Sequence, residues 1–146
     1  MTTMPVRRFV PFVFFVFALA GRAVFSAGQT PAPAPAADAV TFTDEQATRG
    51  GEVFSSVCLE CHARKDMSDA EFKGKWRGQP VFTLFDRISS TMPESNPGAL
   101  PRKQYVDVVA YIAKLNGLAA GTVELPDDEA VLKKQTLAFA PSGVAR

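Results

Sequence analysis

Two patterns of apolar residues divide the chain. Residues 10–20 form an unbroken apolar run, Val10-Pro-Phe-Val-Phe-Phe-Val-Phe-Ala-Leu-Ala20, whereas from Thr43 onward apolar residues recur at steps of three and four. The second pattern is helical. Thr43-Asp-Glu-Gln46 is a capping box with acids in the first turn, and Ala47, Gly51, Phe54, Cys58 and Cys61 follow on one helical face. Ser68-Asp-Ala-Glu71 predicts a second helix start, leading to Phe72 and Trp76 one turn apart and ending at Gly78. Pro80 suits the first position of a third helix, whose stripe is Val81, Leu84, Phe85 and Ile88. Residues 92–101 hold three prolines and a glycine, which makes a stiff loop. Pro101 then opens the strongest helix, with Tyr105, Val108, Val109, Ile112 and Leu115 on its buried side and Asn116-Gly117 as its stop. A short last helix starts at Pro126, with acids Asp127 to Glu129 first and Lys133 and Lys134 last. No run alternates with period two. The expectation is an all-α domain of about five short helices over residues 43–146.

The apolar run needs a different account. Eleven residues fall short of the ~20 that a membrane-spanning helix needs. With Arg7 and Arg8 before it and the small-x-small sequence Ala18-Leu19-Ala20 at its end, it predicts a secretory signal peptide over residues 1–27, cleaved after Ala20, Ala23 or Ala27. Residues 28–42 include Pro31-Ala-Pro-Ala-Pro-Ala-Ala37 and are expected to be an Ala/Pro-rich linker. The predicted location is the periplasm, with no membrane attachment once the signal is removed.

Charge sharpens this division. The chain of 146 residues is formally +1, but Arg7, Arg8 and Arg22 precede every acid, the first of which is Asp38. Without those three, thirteen bases face fifteen acids, so bulk charge offers nothing to nucleic acid. Two cysteines and one histidine also exclude a four-ligand Cys/His zinc site and a multi-bridge disulfide scaffold.

The residues that carry chemistry are Cys58-Leu-Glu-Cys61-His62. Cys-x-x-Cys-His is the attachment sequence of c-type haem. Cysteines three apart lie on one side of a helical turn, so both sulfurs can bond the haem vinyl groups while His62 reaches the iron. A thiol–disulfide redox site, a structural Cys58–Cys61 disulfide and a zinc site are the competing readings. The first lacks a βαβ setting, the second closes too small a loop to stabilise much, and the third lacks a fourth soft ligand. With one covalent haem c and the only histidine used, methionine is the candidate for the sixth iron position. Met67 is five residues from His62 and is assigned to core filling or the surface, whereas Met92, thirty residues away in Thr91-Met92-Pro93, is assigned as the ligand. His62 and Met92 as the two iron ligands leave no open position, which favours electron transfer over bond-making.

On these residues the chain resembles a class I c-type cytochrome of the bacterial monohaem kind, over roughly residues 43 to 137. Gly51-x-x-Phe54-x-x-x-Cys58-x-x-Cys61-His62 is similar to that family's first helix and attachment site, Thr91-Met92-Pro93 to its methionine loop, and Tyr105 to Ile112 to its last long helix. The resemblance implies a cytochrome c-like fold around one covalently attached haem. It also implies that the first and last long helices cross closely, with Gly51, Phe54 and Tyr111 at the contact. A narrower likeness, through Trp76, Leu84-Phe85, Pro97-Gly98, Asn116-Gly117 and Glu124-Leu125-Pro126, is to small cytochromes c associated with quinoprotein alcohol dehydrogenases. In relatives an aromatic donor bonds a haem propionate, a role open to Trp76 alongside plain core packing.

The function expected is a monomeric periplasmic electron carrier, not an enzyme, moving electrons from a dehydrogenase to a terminal acceptor such as an oxidase. The alternatives are a permanently bound electron-accepting subunit of a quinoprotein dehydrogenase and, beyond it, a thiol–disulfide redox protein. Arg64, Lys65, Lys73, Lys75 and Arg77 are a candidate ring of charge for docking, interleaved with Asp66, Asp69 and Glu71.

Overall fold

In the computed structural model the described residues are 38–141; the predicted signal peptide and most of the predicted linker lie outside them. Five helices run in chain order: α1 (Asp44–Ser56), α2 (Ala70–Trp76), α3 (Val81–Thr91), α4 (Arg102–Leu115) and α5 (Glu129–Lys134). Short 3-10 turns at Cys58–Glu60 and Arg64–Met67 connect α1 to α2. Among the described residues there are two isolated bridges and no strand, so the domain is all-α as the periodicity implies.

Local chemistry sets the helix ends, with some departures from the sequence expectation. Thr43 caps α1 by accepting from the Gln46 N–H at 3.1 Å, but the box is not reciprocal. Gln46 is instead fully buried, and its amide donates to the Leu125 carbonyl at 2.9 Å and accepts from the Leu125 N–H at 2.7 Å. A side chain expected to serve its own helix thus pins a loop 79 residues away. The second cap is Asp69, not Ser68, with its carboxylate accepting from the Phe72 N–H at 2.8 Å. Ser68 bonds back to the Arg64 carbonyl. Pro80 and Pro101 sit one position before α3 and α4, in extended backbone at the N-caps. The last helix begins at Glu129, later than Pro126, because Asp128 supplies the cap. Gly117 stops α4 as expected: at φ +82° it allows its own N–H to reach Lys114 and that of Leu118 to reach Ala113.

The most extensive packing is between α1 and α4. Gly50 makes it possible, where the expectation named Gly51. A Cβ on Gly50 would fall inside the Asp107 carbonyl of α4, so the backbones themselves are in contact there. Gly51 faces the Tyr111 ring, which a Cβ would approach at 3.1 Å, and Tyr111 also packs on Phe54 with ring centroids 5.2 Å apart. Beside the crossing, buried Asp107 accepts from Arg49 at 3.2 and 3.3 Å and from Lys103 at 3.4 Å, which compensates its burial. Arg49 also pairs with Glu124 at 2.7 Å and, with Lys103, holds that carboxyl below the usual range. The contribution of Glu124 is therefore present above its unfolded value of about 4.3 and is lost as pH falls through the lower folded value. Because Glu124 is half exposed, that contribution is small.

The fold begins earlier than the predicted boundary at residue 43. Val40 and Phe42 are buried, so residues 39–42 belong to the packed domain and not to the linker. Thr136 forms bridges with both Ala39 and Pro80. Around it, Val40 N–H donates to the Thr136 carbonyl, Gly78 N–H to Leu137 and Val81 N–H to Gln135. This strap carries Leu137 and Phe139 into the core, with Phe139 against Phe72 at 6.2 Å.

Three substitutions test these contacts. Gly50→Ala is expected to cost about 3 kcal/mol or more, read as a lowered denaturant midpoint, because backbone cannot yield. Gly51→Ala should stay within about 1 kcal/mol of wild type, since the ring can shift and alanine favours a helix. Leu137→Ala should cost about 3 kcal/mol although it lies outside every helix, and a loss below about 1 kcal/mol would show the strap to be dispensable.

Candidate functional site

A cleft opens where α1, α3, α4 and the two 3-10 turns meet. Its larger chamber, about 550 Å³, is walled by Phe54, Val57, Leu100, Tyr105, Val108 and Ile112, a largely apolar lining of the size that holds a cofactor. An adjoining chamber of about 430 Å³ is more polar, bordered by Asp66, Asp69, Glu71, Lys75, Trp76 and Arg87. Four residues border both: His62, Met67, Ile88 and Met92.

The predicted site residues therefore meet in one place, and the chain puts them there for identifiable reasons. α1 ends at Ser56, and Val57 leaves helical backbone at φ −121°, ψ −50°. Cys58 to Glu60 then form a 3-10 turn, in which Cys61 and His62 both donate to the Cys58 carbonyl, at 3.2 and 2.9 Å. The attachment motif thus lies on a tight turn after the helix and does not continue the α1 face. Even so, Cys58, Cys61 and His62 all line the larger chamber. Beyond His62 the chain is pinned by the Asp66 carboxylate accepting from the Ala63 N–H at 2.7 Å, and by Arg64 donating to Tyr111 Oη and Ser55 Oγ, each at 3.1 Å.

Met92 arrives from the other side of the sequence. A residue before proline avoids helical backbone, so Pro93 forces α3 to end at Thr91 and leaves Met92 extended at φ −124°, ψ 149°. The side chain is half-buried in the wall of both chambers. Met67, assigned to filling or surface, also lines both chambers. Asn116 holds its backbone, donating to the Met67 carbonyl and to Ile112 at 2.8 Å each. The Asn116 Oδ1 is buried without a partner. The helical period signalled neither role, because Met67 ends a 3-10 turn and Asn116 is the C-cap of α4.

No disulfide joins Cys58 and Cys61, of which Cys58 is half-buried and Cys61 exposed. Burial pushes the Cys58 thiol up, away from the easily ionised state that a thiol–disulfide nucleophile needs. Among the described residues no group of three or more His, Cys, Asp or Glu side chains is placed to hold a metal ion. Two thiols in one apolar wall, with an imidazole and a thioether bordering both chambers, fit a large flat cofactor attached through sulfur.

The basic residues are distributed differently from the ring expected. Of the five, Lys75 alone lines the cleft. Arg64 is tied to Tyr111 and Ser55, and Arg77 donates to the Ala140 carbonyl. Arg87, which the sequence did not single out, lies on the wall of the polar chamber. Trp76 is buried and borders that chamber as well, so packing in the core and facing the cleft are compatible.

Residues 45–112 match the family model described as cytochrome C oxidase, cbb3-type, subunit III. The matched span reaches from α1 into α4 and contains Cys58, Cys61, His62 and Met92. No curated protein and no solved structure matches the chain.

Proposed function

This chain is a c-type cytochrome, a haem protein of electron transfer, and from that premise we propose that it is a periplasmic single-haem carrier between a dehydrogenase and a terminal acceptor. Cys58 and Cys61 would hold the haem through thioether bonds, and His62 and Met92 would ligate its iron. The observation that carries this reading is that both thiols, the only histidine and Met92 border one cleft with apolar walls. When bound, the haem supplies a one-electron iron couple. The protein side chains supply the rest. The neutral, soft thioether of Met92 favours the reduced iron and raises its potential. Phe54, Leu100, Val108 and Ile112 exclude water from the larger chamber and so tune that potential further. With both His62 and Met92 on the iron, oxygen and peroxide would find no ready place to bind, which would suit a carrier. Lys75, Arg87 and Trp76 at the polar chamber suit the anionic propionate end of the haem.

The periplasmic assignment rests on the signal-like residues 1–27 and on covalent haem attachment. Among the described residues no helix is long and apolar enough to cross a membrane. The donor suggested by the loop likeness is a quinoprotein alcohol dehydrogenase. A permanently bound electron-accepting subunit of a quinoprotein dehydrogenase is the second reading; the matching family model is itself named for a subunit of a different redox complex, an oxidase.

Expression with a c-type maturation system tests attachment and ligation together. The mature wild type should carry the mass of one haem and a low-spin spectrum in both redox states. Replacing both Cys58 and Cys61 by Ser should abolish the covalent mass. Met92→Ala should keep the mass but become high-spin and bind carbon monoxide in the ferrous state. A wild type weighing no more than its polypeptide would overturn the proposal. Carrier and subunit separate on gel filtration with the dehydrogenase. A carrier should come away from it in high salt, whereas a subunit should remain bound.

A further inference from the structure

The loop that presents Met92 is long for its few internal ties. Asn96 N–H donates to the Pro93 carbonyl and Ala99 N–H to Asn96, both local turns, while Gly98 N–H approaches the Met92 carbonyl at 3.4 Å. A single side chain ties this loop to the helical frame. Tyr105, in the first turns of α4, is 2% exposed and lines the same chamber as Met92. Its hydroxyl donates to the Met92 carbonyl at 2.7 Å and accepts from the Leu100 N–H at 3.3 Å. Both capacities of one phenol are thus spent on backbone at the two ends of the loop, and its ring is anchored in the most buried helix.

We propose that Tyr105 is a positioning residue for Met92: its hydroxyl clamps both ends of the 92–100 loop and keeps the thioether in the cleft against competing ligands. The proposal rests on Met92 being the iron ligand. A ligand carried on a loop is lost when the loop opens, and local opening is governed by the contacts of that loop and not by global stability. Without the phenol hydroxyl, the Met92 carbonyl keeps only the long Gly98 N–H contact and the Leu100 N–H loses its partner in a partly buried setting, so the closed loop becomes easier to open. Nothing in the helical periodicity of α4 distinguishes Tyr105 from its neighbours Val108 and Val109.

The test uses the haem-loaded protein and Tyr105→Phe, which keeps the ring. Displacement of Met92 from the ferric form by added imidazole is followed as loss of the sulfur-to-iron charge-transfer absorption. Tyr105→Phe should be displaced at about tenfold lower imidazole, with amide exchange at Leu100 accelerated to a similar degree. Val109→Ala, in the same helix but outside the chamber wall, should lower the melting temperature and leave both readouts unchanged. Unchanged imidazole affinity and Leu100 exchange in Tyr105→Phe would overturn the clamp. In that event, loss of the absorption in Met92→Ala still upholds the ligation. A wild type that lacks the absorption removes both. Should Tyr105→Phe not load haem, the wild type decides the matter: Leu100 exchanging as fast as the exposed Glu94 and Ser95 amides rules the clamp out.

Discussion

The contact on which the cleft depends is the backbone crossing of α1 and α4 at Gly50. With the two helices touching through main chain, Phe54 and Tyr111 close one side of the crossing while Val108 and Ile112 turn toward the cavity. The Asp107 carboxylate lies beside the same contact and is neutralised by Arg49 and Lys103, so burial there leaves no unpaired charge. A helix pair spread by one methyl group would strain the bonds that hold the segment after the Cys58–His62 turn to α4, Arg64 to Tyr111 and the Met67 carbonyl to Asn116. The positions of the two cysteines and the histidine are in this sense set by a residue with no side chain.

The cleft is asymmetric, and the asymmetry has a physical basis. Its apolar chamber draws on the inner faces of α1 and α4 and on Leu100, where burial excludes charge. Its polar chamber is built from the capped start of α2 and the outer side of α3, where Asp69 and Glu71 serve the helix N-terminus and Lys75 and Arg87 reach solvent. One end of the cleft therefore favours an uncharged ring system, whereas the other sets Lys75 and Arg87 among the carboxylates of Asp66, Asp69 and Glu71.

How much of this was legible in the sequence depended on whether a residue acts through periodicity or through distance. The five helices, the Gly117 stop and the chemistry of Cys58-x-x-Cys61-His62 were readable because each is encoded within a few neighbouring residues. The role of Gln46 was misread because a capping box is local, while its actual partner, Leu125, is 79 residues away. Gly50 and Gly51 were confused because both lie near one helical face, and only the partner helix decides which meets backbone and which meets a ring. Residues 39–42 and 135–139 escaped notice because they are short extended segments whose burial comes from each other. The basic residues were harder to place for a similar reason, since what Arg64 bonds, Tyr111 and Ser55, and what Lys75 borders, the polar chamber, are fixed by tertiary structure.

The Met92-Pro93 pair is a setting screw on the molecule. Proline at 93 ends α3 one residue early, and each further residue of helix would rotate the chain by roughly 100°. A substitution at Pro93 that let α3 run on would swing the sulfur to another bearing without altering the methionine itself. Variation at this one position is thus a route by which evolution can re-aim the thioether in the cleft while the methionine itself stays unchanged.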